Sequence, residues 1–240
     1  MSNRPSAETK ADQDERKRAA AEAAVALVED GMVVGLGTGS TAAFALEALA
    51  ARVAKGLRVA GVPTSAATAA LARRLGVPLT GFAAHRRLDL AIDGADEVER
   101  GTLDLIKGLG GALLHEKIVA AASRRFVVIA DGTKLVDRLG EHAPLPVEIV
   151  PFGMEATLER LTDAGLAPAL RRTGDSGEPF RTDGGHAIAD CRTGTIADPA
   201  ALDRRLRAMV GVVDSGLFIG MAAEAFVGMT QGVRRLTPGD

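Results

Sequence analysis

A glutamate stands at position 116 in the stretch IKGLGGALLHEKIVAAA (residues 106–122). Its neighbours three and four positions away, Ala112, Leu113, Val119 and Ala120, are all apolar. A helix that is apolar nearly all round is a buried helix. A buried carboxylate is costly unless it is paired or functional. Desolvation raises its pKa towards the range where a base works near neutrality. The competing reading is a structural ion pair with Lys107 or Lys117, and Lys117 has the same apolar surroundings. Lys107 precedes Gly108, Gly110 and Gly111, a flexible loop that opens the helix.

Other residues could act beside it. In LAIDGADEV (residues 90–98), Asp93 and Asp96 follow an apolar strand, and Gly94 would let both carboxylates turn into one cavity. Two close acids resist double ionisation, which suits acid–base work. The same spacing suits an Asx-turn or a Mg²⁺ site, and the motif does not separate the three. ADGTKLV (residues 130–136) puts Lys134 just past another strand, where it could hold a phosphate or an enediolate oxygen. VVGLGTGSTAAFALEAL (residues 33–49) reads as strand, tight turn and helix. Gly37, Gly39 and Ala42 fit a loose dinucleotide fingerprint. The acid that such a site wants after its second strand is missing from VPTSAAT (residues 62–68). What remains is a helix N-terminus with the hydroxyls of Thr38, Ser40 and Thr41, suited to one phosphate or to sugar hydroxyls. His85, His115, His142 and His186 lack zinc-ligand spacing, and Cys191 has no cysteine partner.

These groups need a frame. The pattern predicts helices over residues 11–29, 40–54, 64–75 and 112–123, alternating with strands over 32–36, 57–62, 88–93 and 126–131. Alternation of this kind argues for an α/β fold with a mostly parallel sheet covered on both faces. The three prolines of PLPVEIVP (residues 144–151) bracket a short strand and mark a change of character. Helices over 154–164 and 199–209, with a Gly- and charge-rich hairpin-like stretch between them, read as a smaller α+β domain. The expected division is 1–142 with 213–240 for the larger domain and 143–212 for the smaller. The apolar strands of residues 211–220 are expected to rejoin the first sheet, and residues 1–12 to be disordered.

Composition narrows the function. The chain has 240 residues, 47% hydrophobic and 25% charged, with a net charge of −2, so nothing concentrates the basic surface that nucleic acid or an anionic membrane needs. Without Trp or Tyr, stacking on nucleobases has little to work with. No apolar run is long enough to span a bilayer, and the polar, acid-containing N-terminus is expected to be no signal or transit peptide. A single cysteine fits a reducing cytosol.

Taken in order, GLGTGSTA, DGADEV, KGLGGALLHEKI, DGTK and PLPVEIVPF resemble the type A ribose-5-phosphate isomerase family, over about residues 17–233. The resemblance implies a Rossmann-like domain carrying a small α+β domain, a homodimer or homotetramer, and no metal or cofactor. It implies interconversion of ribose 5-phosphate and ribulose 5-phosphate in the pentose phosphate pathway. By motif, Glu116 resembles the base and Asp93 the acid–base group of ring opening. Asp96 and Lys107 resemble the residues that position sugar oxygens and stabilise negative charge. Substrate-binding segments are implied at Thr38, Gly39, Ser40 and Thr41, at Asp93, Gly94, Ala95 and Asp96, at Lys107, Gly108, Leu109 and Gly110, and at Lys134, with Lys17 reaching the phosphate. Leu109 stands where some members have glycine, and His115 where some have arginine. Two other readings stand beside this one: a sugar-phosphate sensor of the same fold, which would need no buried glutamate, and an NAD-dependent oxidoreductase.

Overall fold

The computed structural model describes residues 9–174 and 177–240. In chain order the elements begin α1 (Lys10–Val25), β1 (Val33–Leu36), α2 (Ser40–Val53), β2 (Ala60–Pro63), α3 (Ala66–Arg74), β3 (Leu90–Gly94), β4 (Glu97–Glu99) and β5 (Leu105–Ile106). They continue α4 (Leu113–Ala122), β6 (Phe126–Asp131), a 3-10 turn (Gly132–Lys134), β7 (Leu135–Val136), β8 (Leu145–Ile149), α5 (Met154–Asp163) and β9 (Pro168–Leu170). The last are β10 (Ala187–Cys191), α6 (Pro199–Arg207), β11 (Val212–Ser215), β12 (Leu217–Phe218), β13 (Glu224–Met229) and β14 (Gly232–Leu236).

A six-stranded sheet in the order β14-β13-β6-β3-β1-β2 is parallel except for the edge strand β14. Because side chains alternate along a strand, its two faces feed two cores. Val34, Leu36, Leu90, Ile92, Val127 and Ile129 pack with α1, α2 and α3. Val33, Ala91, Phe126, Val128, Ala225 and Val227 pack on the other side with Val119 and Ala120 of α4. The near-continuous apolar runs of these strands follow from burial on both faces. Strand order reverses direction on either side of β1, with β2 on one flank and β3 on the other. Such a switch point opens a crevice beyond the carboxyl ends of the strands.

An antiparallel sheet, β11-β8-β10-β9, packs a third core with Leu161 of α5 and Leu206 of α6. A small sheet, β12-β5-β4-β7, links the two larger ones. Its strands are two or three residues long, too short to show periodicity in the sequence. The buried carboxylate of Glu97 on β4 accepts the amides of Gly140 (2.6 Å), His142 (2.6 Å) and Ala143 (2.7 Å), which fixes the entry to β8.

Two expectations need correction. Residues 211–220 do not return to the first sheet. β11 pairs with β8, across the expected boundary at 212/213, and β12 pairs with β5; the return is made by β13 and β14. Of the N-terminal segment expected to be disordered, residues 1–8 lie outside the described residues, but residues 9–12 open α1. Thr9 and Asp12 form a reciprocal capping box, each side chain accepting the other's backbone N–H (3.2 and 3.0 Å).

One contact sets the depth of α4. A Cβ at Gly35 on β1 would overlap Val119 and come within 2.9 Å of the Ala91 Cβ. Gly35→Ala is expected to cost about 1–3 kcal/mol of stability, the usual effect of overpacking. Urea unfolding measures it, and a stability equal to wild type would show that α4 is free to move.

Candidate active site

The carboxyl ends of β1, β3 and β6, the loop before α4 and the start of α1 enclose a cavity of about 320 Å³. That is within the usual range for small-molecule sites. Its walls are Gln13 and Lys17 from α1, Thr38, Gly39, Ser40 and Thr41 from the turn into α2, Gly94, Ala95 and Asp96 after β3, Lys107, Gly108 and Gly110 from the loop, Glu116 from α4, and Lys134.

At its base lies a buried charge cluster. The Lys107 ammonium sits 3.1 Å from Asp93 Oδ2 and 3.4 Å from Glu116 Oε2, all three side chains being under 5% exposed, and it donates to the Gly94 carbonyl at 2.5 Å. Two carboxylates thus share one ammonium. Burial, and then the Asp93 charge, push the Glu116 pKa up to about 8 against the pull of Lys107. Burial likewise raises that of Asp93, opposed chiefly by Lys107. Burial pushes Lys107 down, but the Asp93 and Glu116 charges outweigh it and leave its pKa raised. Glu116 Oε2 has no hydrogen-bond partner among the described residues. Both readings of the glutamate meet here: it is ion-paired with Lys107 and it lines the cavity. Lys117 is not a rival, because it points the other way, to Asp214 Oδ1 (2.6 Å) and the Ser215 carbonyl (2.7 Å) on β11. Helix α4 is not buried all round, since Ile118 is 46% exposed.

Asp93 is held as firmly from its other side. Its Oδ1 accepts the N–H of Thr38 (3.1 Å) and of Gly94 (2.7 Å), the latter one residue on rather than the two of an Asx-turn. A Cβ at Gly37 would overlap this carboxylate, so glycine there is a packing requirement. Asp93 therefore stands behind the wall rather than in it, while Asp96 is in the wall and accepts the Leu109 N–H at 2.9 Å. Gly94 adopts no left-handed conformation and has only ordinary contacts at its Cβ position, so the turn after β3 does not depend on glycine's freedom.

The turn into α2 offers donors. Gly39, at φ +110°, is the N-cap, and no side chain caps the first amides of the helix, which leaves them for an anion. The Thr38 hydroxyl is spent elsewhere: it lies 2.7, 2.8 and 3.0 Å from those of Thr64, Ser65 and Thr68. Thr64 and Thr68 donate in turn to the carbonyls of Leu36 and Gly37. This knot fixes the turn from behind and leaves Ser40 and Thr41 as its ligand-facing hydroxyls. Lys134 rides on the 3-10 turn capped by buried Asp131, whose Oδ1 accepts the Thr133 N–H (3.0 Å).

Of the expected site residues, only Asp93 and Leu109 are absent from the wall. The Leu109 side chain is exposed, and its backbone N–H does its work. Gln13 was not anticipated. It stands four residues before Lys17, hence on the same helical face, and donates to Asp131 Oδ2 at 3.3 Å. Among the described residues, no three or more His, Cys, Asp or Glu side chains gather as a metal site, and no helix is long and apolar enough to cross a membrane.

The sequence model of the family described as ribose 5-phosphate isomerase A (phosphoriboisomerase A) matches residues 60–232. The chain belongs to this family. The ribose-5-phosphate isomerase A of Gluconobacter oxydans is 54% identical over 227 residues, 95% of this chain and 98% of its own length. That of Gloeobacter violaceus is 57% identical over the same share of each. Among solved structures, ribose 5-phosphate isomerase A from Methanocaldococcus jannaschii superposes with a TM-score of 0.90 at 40% identity, covering 93% of this chain and 99% of that one. A D-ribose-5-phosphate isomerase in complex with phospho-erythronic acid gives 0.90 at 36% identity, covering 94% and 99%.

In this family member the raised Glu116 pKa has a consequence for stability. Below the ordinary glutamate pKa of 4.5, folded and unfolded chains both hold the proton. Between there and about 8 only the folded chain does, so each rise in pH within that window favours unfolding. Urea unfolding at pH 5 and pH 8 is expected to show Glu116→Gln gaining stability relative to wild type as pH rises. A constant difference would mean that Glu116 titrates normally.

Proposed function

We propose that the chain isomerises ribose 5-phosphate and ribulose 5-phosphate at this cavity, with Glu116 as the base. The observation that carries the reading is a buried carboxylate, paired with Lys107 and with its pKa pushed up to about 8, in the wall of a cavity that also holds an uncapped helix N-terminus and Lys17 and Lys134. A sensor of the same fold would need the anion site alone and would gain nothing from burying three charges.

The phosphate is placed at the α2 amides with Ser40 and Thr41, with Lys17 and Lys134 adding charge. Asp93 stands behind the wall, and its part in ring opening is what the family resemblance implies. Glu116 takes the C2 proton of the open-chain aldose. The C1–C2 bond becomes double, and negative charge builds on O1 beside Lys107. The O2 proton passes to O1, C1 receives the proton carried by Glu116, and O2 becomes the ketose carbonyl. Lys107 and Asp96 hold the two oxygens in the plane this requires. Neither metal nor redox cofactor enters the proposed scheme. The surroundings proposed are the cytosol, from the single cysteine, and the assembly a homodimer or homotetramer, from the family resemblance.

Glu116→Gln is nearly isosteric. It is expected to lower turnover of ribose 5-phosphate by at least ~10²–10⁴-fold, the usual yield of a positioned base, while inorganic phosphate still binds. Near-normal turnover in a coupled assay would remove Glu116 from this role. For wild type, kcat/KM is expected to rise with pH along a limb centred near 8, where free Glu116 ionises. A profile already flat from pH 6 upward would assign the base to another group.

A further inference from the structure

The loop of residues 107–111 is a wall of the cavity, and it is gripped from outside by a residue next to β9 of the antiparallel sheet. Arg171 follows β9 and is 13% exposed. Its Nε and Nη2 make a fork on Asp190 of β10, at 2.8 Å to Oδ2 and 2.5 Å to Oδ1. Its Nη1 donates to the carbonyls of Gly108 (2.9 Å) and Leu109 (3.1 Å). The guanidinium also lies 5.7 Å from the centre of the Phe180 ring, and that ring packs on Gly111 where a Cβ would overlap it.

A trans peptide plane points its C=O and its N–H in opposite directions. The plane between Gly108 and Leu109 obeys this visibly: its carbonyl goes out to Arg171 and its N–H goes to Asp96 in the cavity wall. The next plane has its carbonyl on the same guanidinium, so its N–H, that of Gly110, points away from Arg171, and Gly110 lines the cavity. The first plane is also held by the Gly111 N–H on the Gly108 carbonyl (3.0 Å) and by Asp96; the second is held through the Leu109 carbonyl by Arg171.

We propose that Arg171 is a positioning residue for the isomerisation: by taking both carbonyls it aims the Gly110 N–H at the oxygen on which negative charge develops. This rests on the isomerase reading of the cavity. Lysine cannot replace arginine here, because one ammonium cannot fork on Asp190 and bridge two carbonyls together.

The test uses Arg171→Lys and Arg171→Met, with Asp190→Asn as a milder loosening of the same grip. Each is assayed for turnover of ribose 5-phosphate, for affinity towards phospho-erythronic acid and inorganic phosphate, and for thermal unfolding. Phospho-erythronic acid carries a planar carboxylate resembling the enediolate oxygens; inorganic phosphate probes only the anion end. The expected result is a fall in kcat of about 10- to 100-fold in both Arg171 variants. Affinity for phospho-erythronic acid is expected to fall about tenfold, with that for inorganic phosphate within about twofold of wild type, and Asp190→Asn to lie between. Either of two results overturns the proposal: folded Arg171→Lys or Arg171→Met with kcat within about twofold of wild type, or equal losses of affinity for both probes, which would mark a general structural role. A wild-type chain that does not turn over ribose 5-phosphate would instead defeat the reading of the cavity, and this proposal with it.

Discussion

Two carboxylates compete for one ammonium inside the protein, and most of the architecture around the cavity serves that competition. Asp93 and Glu116 both lie against Lys107, out of water, so the three together carry one more negative charge than positive if all are ionised. Burial makes that state unfavourable and a shared proton favourable. A surface glutamate beside a surface lysine would simply ionise. The elevated affinity of Glu116 for its proton is thus a property of where β3, the loop and α4 meet, and no one of the three residues produces it alone.

Each partner is held by a different part of the chain. Asp93 is fixed by amides of the β1 turn and of its own strand end, with Gly37 leaving it room. Lys107 is fixed through its backbone, whose N–H donates to the Gly216 carbonyl between β11 and β12 (2.9 Å). That bond ties the charge cluster to the link between the sheets. Removing Lys107 would leave two buried carboxylates without a counter-charge, a far larger penalty than the cluster's own net contribution to stability.

Much of this was legible in the sequence, for physical reasons that can be named. β6 was readable to the residue because six buried side chains in a row leave an apolar run with sharp polar ends. Glu116 stood out because its helical neighbours are apolar. Its partner did not: two lysines were available, and the choice of Lys107 over Lys117 depends on a loop and on β11, which lie elsewhere in the fold. The β4, β5, β7 and β12 strands were illegible because two or three residues carry no period. Arg171 was illegible because its hold on the loop is through backbone carbonyls, and a carbonyl leaves no mark on the sequence. The knot of hydroxyls behind Thr38 was hidden for a similar reason. Thr64 or Ser65 reads as the cap of the helix, which Ser65 indeed is, and nothing local shows that these two and Thr68 also face Thr38.

Consecutive residues on α4 face opposite duties. Glu116 looks to Lys107, whereas Lys117, about 100° further round the axis, reaches Asp214 and the Ser215 carbonyl. The helix is keyed like a shaft with two unlike pins. A slip of one residue one way would set Lys117 against Lys107 and bring Ile118 to Asp214; a slip the other way would set Glu116 against Asp214 and bring His115 to Lys107, so either replaces two attractions by one repulsion and one lost pairing. Misregistered docking of α4 is therefore penalised at both pins together, and while the chain folds its electrostatics proofread the register of the helix that carries the base.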